Sequence, residues 1–145
     1  MGLSTSAIGL AELLGETLTA TLADRIGLKR SVMTGLAICI IFYAMLPFIS
    51  QTIPMAFVSL FLIFVTFEFM IVTSVSMATE LLPEARATMM ATYMGAAGLG
   101  RVVGALIGGP VWLMGGIIAT GLVSAFISAL ALGALWWGLQ GWEKN

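Results

Sequence analysis

Hydrophobic residues along this chain run in blocks of about twenty, broken by short polar or glycine- and proline-containing stretches rather than by alternating polar positions. Five blocks can be drawn, at about 3–23, 31–49, 54–79, 87–114 and 116–139. Each is close to the roughly 20 residues that cross a hydrocarbon core about 30 Å thick. A backbone facing lipid must satisfy its own hydrogen bonds, so every block is expected to be a helix. The breaks carry helix-end chemistry. Pro54 falls in the first turn of the third block, where its missing N–H leaves nothing unpaired. "ELLPEAR" precedes the fourth block, "MGG" separates the fourth from the fifth, and "WWGLQGW" closes the fifth. The pattern predicts an all-α integral membrane protein with five transmembrane helices in a single region, residues 1–145.

Composition strengthens that picture. The chain is 60% hydrophobic and 9% charged, with a mean hydropathy of +1.09, whereas soluble domains carry about 25% charged residues. So few charges could not cover a globular surface, and the lipid bilayer is the expected partner. A net charge of −1 leaves nothing to neutralise phosphates, which argues against nucleic acid. Histidine is absent, which removes the commonest general base and metal ligand. No metal cluster, Ser/His/Asp set or paired-Asp phosphotransferase pattern is present, so neither enzyme activity nor a cofactor is expected. Cys39 lies inside an apolar block and reads as small buried filler rather than a reactive thiol. The glycines of "GAAGLGRVVG" follow no strand and do not form a dinucleotide loop. No basic stretch precedes the first block, so no signal peptide is expected.

The charges that remain are placed unevenly. Asp24 to Arg30, "DRIGLKR", holds one acid and three bases in seven residues. If this loop is cytoplasmic, Arg25, Lys29, Arg30, Arg86 and Lys144 all fall inside, and the two outer connections carry no Lys or Arg. That is the positive-inside distribution. It puts the N-terminus outside and the C-terminus in the cytoplasm of a multi-pass cell-membrane protein. Trp136, Trp137 and Trp142 then stand where an inner aromatic belt forms.

The loop is either a plain positive-inside turn or something more specific, and the order of its residues favours the second. "LADRIGLKR" resembles the signature loop of the major facilitator superfamily, roughly G-x-L-A-D-R-x-G-R-K-R. Leu22, Ala23, Asp24, Arg25, Gly27, Lys29 and Arg30 match; Ala20 and Leu28 stand where the motif has glycine and arginine. The resemblance implies a cytoplasmic gate in which the Asp packs against the N-terminus of a helix from the other half, a favourable place for a carboxylate. The two departures point to a weakened latch. "TELLPEARATMMA" and "GLGRVVGALIGGP" are similar to the turn before the fifth helix of a half and to that helix, particularly in arabinose-efflux-like bacterial permeases. The resemblance covers essentially the whole chain as five consecutive helices of one six-helix half.

Helices eight to twelve of the twelve-helix fold fit better than two to six. "FLIFVTFEFMIVTSVS" lacks the arginine that marks the fourth helix of the first half, and the chain ends soon after its last helix, as a transporter C-terminus would. The other register keeps some support, because "GALIGGPVWLMGG" is weakly similar to a fifth-helix signature of drug:proton antiporters in the first half.

Four ionisable residues fall inside the blocks: Glu12, Glu16, Glu68 and Arg101. Such groups are unfavourable in lipid and mark functional or water-lined sites by default. Glu12 and Glu16 share a helical face with Gly9, Thr19, Ala20 and Ala23, opposite Leu10, Leu14, Leu18 and Leu22, so the small acidic face is expected to look into the bundle. Alternatively, these two Glu lie near an interface and support polar packing. Glu68 stands about 14 residues, roughly 21 Å of helix, from Pro54, and Arg101 about as far from the opposite end of its own helix. Glu12 lies about 12 residues, roughly 18 Å, from Asp24, so these three reach similar depth near the midplane, where substrate and ion sites form. Glu68, Arg101, Glu12 and Glu16 are expected to line a proton and substrate pathway; alternatively, Glu68 and Arg101 form a structural ion pair. Gly100, Gly104 and Gly108 repeat every four residues, as helix-packing ridges do.

The activity implied by the resemblance is secondary active transport, with proton-coupled export or exchange of a small sugar or drug-like solute. The partners implied are the remaining helices of a transporter or a partner half. The alternative is a small non-transporting membrane protein that assembles with or regulates a partner.

Overall fold

The computed structural model describes residues 2–142, with side chains throughout that range except at residues 2–4, 7 and 24. The described residues are helical almost throughout and contain no strand. Helix α1, Gly2–Leu18, passes into a π-helical turn, Thr19–Ala23, and a last helical turn, Asp24–Ile26. Helix α2 is Leu28–Ile49 and α3 is Ile53–Leu81. A 3-10 turn, Pro83–Ala85, leads into α4, Arg86–Gly138.

Among the described residues, three helical stretches are long and apolar enough to cross a membrane: Leu28–Ile49, Ile53–Leu81 and Pro83–Gly138. The difference from the five drawn blocks arises in two places. Regular α-helix in the first block stops after 17 residues, at the π-turn. The fourth and fifth blocks run together as α4, whose 53 residues would extend roughly 80 Å if straight. α4 is not straight. Gly115 and Gly116 leave the helical backbone, and Gly116 has φ 55 and ψ −138, a conformation that side chains oppose. α4 therefore has a first limb, 86–114, and a second limb, 117–138.

Glycines set how the helices meet. α1 packs on α3, α2 packs on both α3 and α4, and α3 is central. A Cβ on Gly35 would lie 3.3 Å from the Met70 Cβ, and one on Gly121 would lie 2.8 Å from the Tyr43 carbonyl oxygen. Near the charged loop, Val32 of α2, Met77 of α3 and Leu139 form a buried cluster, with Leu28, Met70, Leu81, Leu135 and Trp142 packed around it. Gly121 thus meets the far end of α2 and Leu139 its near end, so the second limb runs antiparallel to α2. The first limb touches little. Its main polar tether is the 2.6 Å hydrogen bond between the Ser74 and Tyr93 hydroxyls, and every residue from 99 to 110 is exposed.

Candidate functional site

The closest approach in the bundle lies at the middle of α3. A Cβ on Gly15 would fall 2.6 Å from the Glu68 Cβ and 3.1 Å from the Phe69 backbone nitrogen. The absence of a side chain there lets α1 lie directly on α3. Gly35 meets the same level from the other side, where its Cβ would be 3.4 Å from the Phe69 Cδ1. The two helices are also joined by a hydrogen bond. The Thr19 hydroxyl donates to the Gly15 carbonyl at 3.0 Å and, more weakly, to the Phe69 carbonyl at 3.3 Å. Thr73 donates to that same Phe69 carbonyl at 2.6 Å. Polar hydrogens thereby converge on one buried oxygen, one residue from Glu68.

Packing on α1 follows the expected face in part. Thr19 and Ala23 of that face are buried and continue a ridge with Ala11 and Gly15, whereas Gly9, Glu12, Glu16 and Ala20 are exposed. The reason is steric: only small side chains fit at this helix separation. Glu12 and Glu16 follow the ridge by one residue and stand exposed at its edge. Leu10, Leu14 and Leu18 are exposed as well. Glu68 is half-buried, and its charge neighbours are Glu12 and Glu16. The structure therefore brings three of the four ionisable residues singled out in the apolar blocks, Glu12, Glu16 and Glu68, near one another at the α1–α3 contact. The fourth, Arg101, lies on the exposed first limb of α4 and forms no ion pair with Glu68.

The charged loop has its own geometry. Gly27 has φ 90 and ψ 140, a backbone region open essentially to glycine alone. Its N–H donates to the Ala23 carbonyl, and its carbonyl accepts from the Ser31 N–H, each at 2.9 Å. It thus ends one helix and starts the next. Arg25 and Arg30 are exposed, while Lys29 is partly buried. The Lys29 Nζ donates to the carbonyls of Leu139 at 2.7 Å and Trp142 at 3.0 Å. The Asp24 side chain and Lys144 lie outside the described residues.

A family model described as Major Facilitator Superfamily matches residues 1–141. This chain belongs to the major facilitator superfamily. Searches of characterised proteins and of solved structures give no match. Members of the superfamily are transporters rather than enzymes, and the apolar helices accord with a multi-pass membrane protein. The loop that resembles the superfamily signature is the stretch around Gly27, and Glu12 and Glu16 lie on the flank of α1 beside α3. The glycine repeat Gly100, Gly104 and Gly108 meets open space, since no atom would lie within 4 Å of a Cβ on any of the three.

Several residues that shape this superfamily site were not singled out in the sequence. Gly15 carried a readable signal, because Ala11, Gly15, Thr19 and Ala23 place a small residue every fourth position. The neighbouring glutamates drew the reading to the exposed edge of that ridge. The pairings of Lys29 with Leu139 and Trp142, and of Ser74 with Tyr93, span fixed distances only in three dimensions and had no local signal.

Proposed function

We propose that the chain is the part of a secondary active transporter formed by helices eight to twelve, and that it serves proton-coupled export or exchange of a small sugar or drug-like solute. In this reading α1 with its two following turns is one crossing, α2 and α3 are two more, and the limbs of α4 are the fourth and fifth. The glycine break at Gly115 and Gly116 supports that division, and the one-sided loop bases support an outside N-terminus and a cytoplasmic C-terminus. Asp24 and Arg25 serve as gate residues at the cytoplasmic turn.

The observation that carries the reading is the company Glu68 keeps. It lies mid-helix, is half-buried, and has carboxylates rather than a base as its charge neighbours. A carboxyl whose surroundings differ between two conformations takes up a proton in one and releases it in the other. In the complete transporter, opening and closing of a water-filled path beside Glu68 would supply such a change. Arg101 enters the same cavity from the first limb of α4 when the opposing helices are in place. The test is solute movement driven by a pH gradient in vesicles carrying the complete transporter, with wild type compared with Glu68→Gln. Loss of pH-driven movement with retained solute binding supports the reading. Full pH-driven movement assigns Glu68 a structural role and passes the proton role to Glu12.

The exposed first limb favours a second reading, a non-transporting membrane protein that assembles with a partner. A coding sequence that continues upstream into further membrane helices removes that reading.

A further inference from the structure

We infer that Lys29 does not act at the gate but clasps the end of the last helix, fixing the segment that follows Gly138 against the cytoplasmic face of α2 and α3. Three independent features meet there. The backbone turns back at Gly141, which has φ 85, a left-handed conformation that favours glycine. The turn is closed by hydrogen bonds from the Gln140 N–H to the Trp137 carbonyl at 3.3 Å and from the Trp142 N–H to the Leu139 carbonyl at 3.2 Å. It lays Trp142 on the cluster of Val32, Met77 and Leu139.

The Lys29 ammonium then donates to the Leu139 and Trp142 carbonyls, 110 and 113 residues away in sequence. The Leu139 carbonyl stands at the helix C-cap, at the negative end of the helix dipole, and the Trp142 carbonyl lies just past the turn, so a cation fits there. Lys29 and Arg30 are adjacent bases in the same loop, but Arg30 is exposed and Lys29 is partly buried. The loop thus divides its work: Lys29 is a positioning residue that couples the start of α2 to the end of α4, and Arg25 and Arg30 are left for other contacts.

The test is hydrogen exchange by mass spectrometry on the whole chain in lipid nanodiscs, reading residues 138–142 and, as a fold control, the middle of α3. Lys29→Met is expected to speed exchange in the tail by at least about tenfold, the equivalent of one lost charge-assisted hydrogen bond, while α3 is unchanged. Lys29→Arg, which retains a cationic donor, is expected to hold the tail near wild type. Tail protection in Lys29→Met equal to wild type overturns the inference. If Lys29→Met also loosens α3, Gly141→Ala decides. This exposed residue lies outside the core, and its substitution is expected to free the tail alone. An unchanged tail in that variant overturns the inference.

Discussion

Gly15 and Gly104 are both glycines in apolar helices, yet the structure gives them opposite tolerances. An alanine at position 15 must push its Cβ against the Glu68 stem at 2.6 Å, part of a helix contact that cannot give way cheaply. Gly15→Ala should destabilise the bundle by about 1–3 kcal/mol, the range for overpacking, and lower the melting temperature in detergent. Gly104→Ala meets nothing within 4 Å and should leave that temperature nearly unchanged. Equal melting of the two variants would contradict a close α1–α3 contact at Gly15. Gly27 is different again, since its constraint is backbone conformation and not space. Gly27→Ala should cost about 1–3 kcal/mol, read in the same melting experiment, although its Cβ would also meet nothing within 4 Å. The charged break between two apolar blocks marked the turn that holds Gly27, and the motif resemblance singled the residue out. Gly15 was legible only as a member of the four-residue ridge, and the charges beside it pointed to the exposed edge of that ridge.

At the scale of elements, α3 is held by α1, α2 and α4, whereas the first limb of α4 is tethered mainly by the Ser74–Tyr93 hydrogen bond. Tyr93→Phe removes that bond and keeps the ring. A net loss of about 0.5–1.5 kcal/mol should appear as faster hydrogen exchange in residues 86–98, with α2 and the second limb unaffected. Faster exchange throughout the chain would mean that the bond supports the whole bundle. The helix start at Pro54 was readable in the sequence; its cap, Thr52, which accepts a hydrogen bond at 3.4 Å from the Met55 N–H, was not singled out. The π-turn after Leu18 was not readable. A π-turn depends on a shift in backbone pairing that hydrophobic pattern does not encode. Thr17 and Thr21, whose hydroxyls bond back to the Leu13 and Thr17 carbonyls, were its nearest local hint, since such back-bonding bends helices.

Across the whole molecule, the unresolved balance is between apolar surface that meets lipid and polar surface that meets a cavity. Exposed Leu10, Leu13, Leu14 and Leu18 cover one side of α1. Glu12 and Glu16 stand exposed at the edge of the buried ridge. The proposed orientation makes a separate claim. A cysteine placed at exposed Gln51 should react with an impermeant reagent added outside, and one at exposed Glu84 with the same reagent added to the cytoplasmic side. Reaction of Gln51→Cys from the cytoplasm alone would invert the topology and, with it, the assignment to helices eight to twelve.

The proposed function requires the acidic flank of α1 to face water inside a transporter. Its most direct measurement compares the labelling of Glu12→Cys and Leu14→Cys by a water-soluble maleimide in the complete transporter in membranes. The native Cys39 is buried and contributes little background. Water facing the acidic flank and lipid facing the leucines predicts ready labelling at position 12, blocked by bound solute, and almost none at position 14. Labelling at position 14 with position 12 inert would place the glutamates away from any cavity and contradict the account.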